Sequence, residues 1–168
     1  MHLEGSCHCR AVRFSLESHS PVPFMRCHCG ICRKTAGSGG FAINLGGDAA
    51  TLKVRGKKHL GIYNAMLREP GKRATRSKAA RHFCLRCGSA LWAWDPRWPE
   101  LIHPHASAID TALPKPPEVV DIGLAWAPGW VELPRGAKQV RFQYMPDVSL
   151  EEWHQQHGLW SPPRRPPR

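Results

Sequence analysis

Residues 83–88 read Phe83-Cys84-Leu85-Arg86-Cys87-Gly88. Two cysteines separated by two residues let one tight turn aim both sulfurs at a single ion, and a following glycine lets the backbone fold beneath them. Such a knuckle supplies half of a tetrahedral zinc site, so its partner must come from elsewhere in the chain. Toward the N-terminus, Cys7-His8-Cys9 is the candidate. Between the two stands a third cluster, Cys27-His28-Cys29-Gly30-Ile31-Cys32. Seven cysteines cannot pair off completely as disulfides. Four plus three is a natural division between a closed four-thiolate zinc site and an open three-thiolate one.

The central cluster offers three sulfurs within six residues. Three corners of a tetrahedron would leave the fourth for water or an incoming thiol, and a coordinated thiol ionises at neutral pH. Other readings of the same residues stay open. His28 or a distant group would close the site and make it structural. Cys29-x-x-Cys32 has the spacing of a redox dithiol. An iron–sulfur centre would use the same ligands. His8 and His28 are expected to point away from sites built on alternate residues, as supporting or surface groups.

Outward from the cysteines, short stretches alternate apolar and polar residues. Val12, Phe14 and Leu16 form one stripe; Phe41, Ile43 and Leu45 another; then Leu52 and Val54, Leu91 with Trp92 and Trp94, Val120, Ile122 and Leu124, and Val140, Phe142 and Tyr144. A period of two means half-buried strands, and Gly and Pro punctuate them. The expected fold is mainly β, built of short antiparallel strands. Ser149-x-x-Glu152 has capping-box spacing and Gly158 stops the pattern, so a short C-terminal helix is expected between them. His154 and His157 would then complement its carbonyl end. Arg33-Lys34-Thr35 is expected to open a short turn. Residues 1–160 are read as one zinc-binding domain, and 161–168, rich in Pro and Arg, as a disordered tail.

The chain carries 24 Lys and Arg against 13 Asp and Glu, a net charge of +11. Ligation of two zinc ions by seven thiolates lowers that sum but leaves it strongly cationic. Anionic small molecules, nucleic acid and acidic surfaces are the partners such a charge attracts. The charge is uneven: eleven Lys and Arg lie between Lys53 and Arg86, with Glu69 as the single acid. That segment reads as solvated loop and strand edge, as the rim of an anion pocket, or as a nucleic-acid surface, the last with few aromatics for base stacking. No apolar run approaches the roughly 20 residues that span a bilayer. The N-terminus lacks a signal-peptide pattern, so a cytoplasmic location with reduced thiols is expected.

Gly5-Ser6-Cys7-His8-Cys9, Cys27-His28-Cys29-x-x-Cys32-Arg33-Lys34 and Phe83-Cys84-x-x-Cys87-Gly88 together resemble the glutathione-dependent formaldehyde-activating enzyme family, which also includes centromere protein V. Ile109-Asp110, the Pro116-Pro117 stretch, Trp130-Val131 and the segment from Ser149 through Trp153 and His154 resemble later family features. The resemblance implies several coiled antiparallel β-sheets, similar to methionine-R-sulfoxide reductase. It implies two Zn2+ per chain: a structural one on Cys7, Cys9, Cys84 and Cys87, and a catalytic one on Cys27, Cys29 and Cys32. It implies a carbon–sulfur lyase-type reaction joining glutathione to formaldehyde, with Arg33 and Lys34 drawing the glutathione carboxylates. Asp121 stands where many members carry a histidine. Two other functions use the same cysteines: a non-catalytic zinc module binding nucleic acid or another polyanion, and a redox enzyme of the sulfoxide-reductase type.

Overall fold

The computed structural model describes residues 1–68, 71–133 and 139–162. Residues 163–168, most of the expected tail, lie outside them. Strands β1 (His2–Ser6) and β2 (Arg13–Glu17) form an antiparallel hairpin whose turn holds Cys7 and Cys9. Alternation works here as the pattern demands, with Leu3, Phe14 and Leu16 buried. Strand β3 (Met25–Cys27) runs into helix α1 (Gly30–Ala36), followed by β4 (Ala42–Ile43), β5 (Gly47–Asp48) and β6 (Lys53–Arg55). The longest elements come next: β7 (Leu60–Leu67) and β8 (Thr75–Cys84). After them stand β9 (Ala90–Trp94), β10 (Leu101–Pro104), β11 (Val119–Ile122), β12 (Gln139–Arg141) and α2 (Leu150–Gln156).

The strands assemble into three sheets, ordered β1-β2-β6, β5-β10-β9-β8-β7 and β12-β11-β3-β4. The first two are antiparallel throughout. In the third, β11 lies parallel to both β3 and β12, because its partners arrive by long connections rather than hairpins. One core gathers Leu3, Val12, Phe14, Leu16, Leu91 and Trp92 around Cys7 and Cys84. The other gathers Val22, Phe24, Val120, Ile122 and Trp153 around Cys27 and Cys32. Each cysteine cluster is thus backed by its own apolar packing.

Helix α1 starts at Gly30, inside the central cysteine cluster, and Arg33-Lys34-Thr35, expected to open a short turn, lie within it. Cys29 is its N-cap: the sulfur accepts from Cys32 N–H at 3.4 Å, a local bond that a Ser or Asp oxygen makes elsewhere. At α2, Ser149 and Glu152 form the expected reciprocal capping box. His157 does donate to a late carbonyl, that of Trp153, at 2.8 Å. His154 does otherwise. Fully buried, it donates from Nδ1 to Leu150 O at 2.7 Å and accepts Val22 N–H on Nε2 at 3.0 Å. It is a neutral tie between helix and core, since its ring faces inward against Phe24. Leu124 leaves the strand expected of it because Gly123 turns the chain with φ +70. A Cβ at that position would lie 3.3 Å from Cys29 N and 3.2 Å from the Trp126 ring, so close approach and backbone hand both require glycine.

Candidate metal centres

The hairpin turn of β1–β2 and the knuckle after β8 bring Cys7, Cys9, Cys84 and Cys87 together, with all four sulfurs within 4.8 Å of one another. Cys7 and Cys9 are 3.6 Å apart, and Cys9 and Cys84 are 3.8 Å apart. A zinc tetrahedron with Zn–S near 2.3 Å has edges of roughly 3.8 Å, so these residues fit the ion. Backbone amides support the sulfurs: Val12 N–H points to Cys7 Sγ at 3.2 Å and Arg86 N–H to Cys84 Sγ at 3.4 Å. Ser89 bridges the two knuckles, its Oγ accepting His8 N–H at 3.1 Å and lying 3.2 Å from Cys87 Sγ. That hydroxyl, with the Ser89 amide, holds the Cys87 thiol down to about 5.

Cys27, Cys29 and Cys32 form the second cluster, again with sulfurs within 4.8 Å of one another. The end of β3 supplies Cys27, the N-cap supplies Cys29, and the first turn of α1 supplies Cys32. Cys27 and Cys32 are buried and Cys29 is half-buried. Hydrogen bonds from Cys27 and then Cys32, with α1 amides behind them, push the Cys29 thiol down to about 2. The same contacts raise Cys27. Negative charge therefore settles first on Cys29, where helix amides meet it. No fourth Cys, His, Asp or Glu joins this cluster among the described residues. Three soft sulfurs at tetrahedral reach suit zinc and leave one position free.

His28 does not close the site. Its Nε2 lies 2.8 Å from Asp121 Oδ1 on β11, both side chains sealed from solvent. Its backbone N–H also donates to Ile122 O at 2.9 Å. Asp121 thus pairs with the histidine between two of the clustered cysteines, a partnership separated by 93 positions. Arg33 and Lys34 face an open cleft of about 700 Å3, together with Arg10, His8 and Asp110. The cleft reaches Cys7, but Cys27, Cys29 and Cys32 do not line it.

Two residues near the triplet carried no signal of their own in the sequence. Asn44 Nδ2 lies 3.9 Å from Cys32 Sγ, and Arg81 Nη2 lies 3.8 Å from the same sulfur. Arg81 was hidden among eleven basic residues. The other ten are exposed; Arg81 alone is half-buried. Among the described residues, no helix is long and apolar enough to cross a membrane.

The arrangement defines a class: a mainly β protein with two cysteine clusters able to hold metal, one complete and one open. The chain belongs to the glutathione-dependent formaldehyde-activating enzyme family, whose model matches residues 2–122. It is 56% identical over 162 residues to a Halomonas elongata protein provisionally named a glutathione-dependent formaldehyde-activating enzyme, covering 95% of this chain and 98% of that one. It is also similar to the crystal structure of a Rhodobacter sphaeroides protein, with 27% identity and a TM-score of 0.50 over 66% of this chain and 91% of that chain.

Proposed function

We propose that this protein is a zinc-dependent carbon–sulfur lyase-type enzyme acting on glutathione–aldehyde adducts. In the synthetic direction it joins glutathione and formaldehyde as S-hydroxymethylglutathione. The observation that carries this reading is the convergence of Cys27, Cys29 and Cys32 with no fourth ligand among the described residues, in a protein whose other cluster has all four. On this reading Cys7, Cys9, Cys84 and Cys87 hold a structural zinc, and the triplet holds the catalytic one. Zinc bound there supplies a Lewis-acidic position at which a substrate thiol is held as thiolate.

The chain's own residues do the rest. Cys32 and Arg33 are neighbours in α1, so a thiol directed to the triplet and carboxylates directed to the cleft fit one short peptide. Arg33, Lys34 and Arg10 give that cleft the charge to draw glutathione's two carboxylates. Val120, Ile122, Phe24 and Trp153 exclude water from behind the sulfurs. A polyanion-binding module is the second reading, favoured by the ten exposed cations between Lys53 and Arg86; it predicts an affinity for nucleic acid that falls steeply with salt.

The test follows formaldehyde–glutathione exchange by NMR with zinc-loaded protein. Acceleration by the wild type, lost in a folded Cys32→Ser variant, supports the reading. No acceleration by the zinc-loaded wild type overturns it.

A further inference from the structure

Among the buried polar atoms near the triplet that no described residue satisfies, two belong to side chains that reach Cys32 itself. Arg81 turns Nη2 toward Cys32 Sγ at 3.8 Å, and its Nη1 is buried without a partner. Asn44 turns Nδ2 toward the same sulfur at 3.9 Å, and its Oδ1 is buried without a partner. Each orphan atom is bonded to the same carbon as the nitrogen facing Cys32, so both stand at the edge of the cluster. One is a charged donor and the other a neutral acceptor. A buried polar atom left unpaired is costly unless something fills its place.

The surroundings show that Arg81 is held there by the fold. It stands on β8 between Tyr63 of β7 and Ala93 of β9. Asn44 is bridged to His105 on the chain leaving β10. Strand β8 and the segment that follows β4 therefore deliver these groups to one sulfur.

We infer that Arg81 and Asn44 form the oxygen-binding half of the reaction site: Arg81 Nη1 donates to the aldehyde oxygen, and Asn44 Oδ1 accepts from the hydroxyl that this oxygen becomes. The inference rests on the reading of the triplet as the thiol site. The step balances without any oxidant. The glutathione sulfur supplies the electron pair of the new C–S bond. The C=O π pair moves onto oxygen. That oxygen then takes up, through solvent, the proton that the thiol gave up. Arg81 keeps its own protons throughout, because a guanidinium does not lose a proton in proteins, and acts only by hydrogen bonding to the charge that develops. A hydroxymethyl group, donor and acceptor at once, satisfies both orphan atoms; a methyl or a bare thiol satisfies neither. The pair thus selects the hydroxymethyl adduct over free glutathione.

The experiment uses zinc-loaded wild type, Arg81→Gln, Arg81→Lys and Asn44→Ala, with zinc content measured for each. Calorimetry compares binding of glutathione alone with glutathione pre-equilibrated with formaldehyde. The wild type is expected to bind the adduct roughly tenfold more tightly, and Arg81→Gln and Asn44→Ala to bind the two alike while keeping their zinc. In the NMR exchange assay Arg81→Gln loses roughly 100-fold in kcat with little change in KM for glutathione, as loss of an oxyanion donor does. Arg81→Lys recovers part of that loss, since charge returns without the fork. Wild-type rate and adduct preference in both Arg81→Gln and Asn44→Ala would overturn the inference and leave the thiol-site reading standing. Absence of acceleration by the wild type overturns both. Should Arg81→Gln lose zinc, Asn44→Ala decides alone.

Discussion

The His28 imidazole and the Asp121 carboxylate meet at 2.8 Å in a space closed to solvent. This contact joins the loop between Cys27 and Cys29 to the middle of β11. Parallel pairing of Arg26 with Asp121 and of Cys27 with Ile122 puts the two strands in register. The tie thus sets where two of the three clustered sulfurs stand.

Asp121→Ala leaves a buried imidazole nitrogen without a partner. The expected loss is about 3 kcal/mol of stability, whereas Asp121→Asn keeps an acceptor and loses about half as much. Urea unfolding of the zinc-loaded variants measures both. Chelator-driven zinc release should quicken in the same order.

Metal removal should proceed in two phases. A three-sulfur site holds its ion with one fewer ligand than the four-cysteine site, so its ion leaves first. Cys32→Ser is expected to abolish the fast phase and keep the fold. Cys87→Ser is expected to unfold near 37 °C, because an ion held by that cluster would tie together segments 75 residues apart. A chelator-coupled absorbance trace with circular dichroism on each variant checks this.

Burial lowers His105 from 6.5 to about 4, with the Arg81 charge adding to it. The folded protein keeps this ring neutral where the unfolded chain protonates it. The contribution is fully present above pH 6.5 and is lost as pH falls toward about 4. It amounts to about 3 kcal/mol. His103 and His154 shift the same way, also through burial. His105→Gln should flatten the pH dependence between pH 4 and 6.5 relative to wild type. The difference between the two proteins isolates this ring from proton competition for the sulfurs.

Trp153 stacks on Phe24 with ring centroids 3.6 Å apart and donates to Glu118 at 2.7 Å. Trp153→Ala removes a large buried ring and should cost about 3–5 kcal/mol. Since Phe24 and Trp153 share a core with Cys27 and Cys32, zinc retention at the triplet should fall as well. Ser149→Ala, which breaks only the capping box, should cost about 1 kcal/mol and leave zinc binding intact. Thermal unfolding with zinc analysis separates the two.

Much of the frame was legible beforehand. The β2 and β6 segments alternate cleanly, and the Ser149–Glu152 spacing marks the start of α2. The β7–β8 ribbon was not legible. Its residues show no steady alternation of buried and exposed positions, because much of the ribbon faces solvent and the register shifts between Asn64 and Met66. The parallel placement of β11 was equally hidden, since no local pattern distinguishes parallel from antiparallel pairing in so short a strand.

The sequence by itself marked the clustered cysteines and the family, because cysteine spacing is local chemistry: one turn carries two or three sulfurs whatever surrounds it. Only the tertiary structure decided what stands around them. It turned His28 to Asp121 and drew Arg81, out of eleven similar cations, to Cys32. Those partnerships depend on strand register across separate sheets, and register is set by the packing of the whole chain.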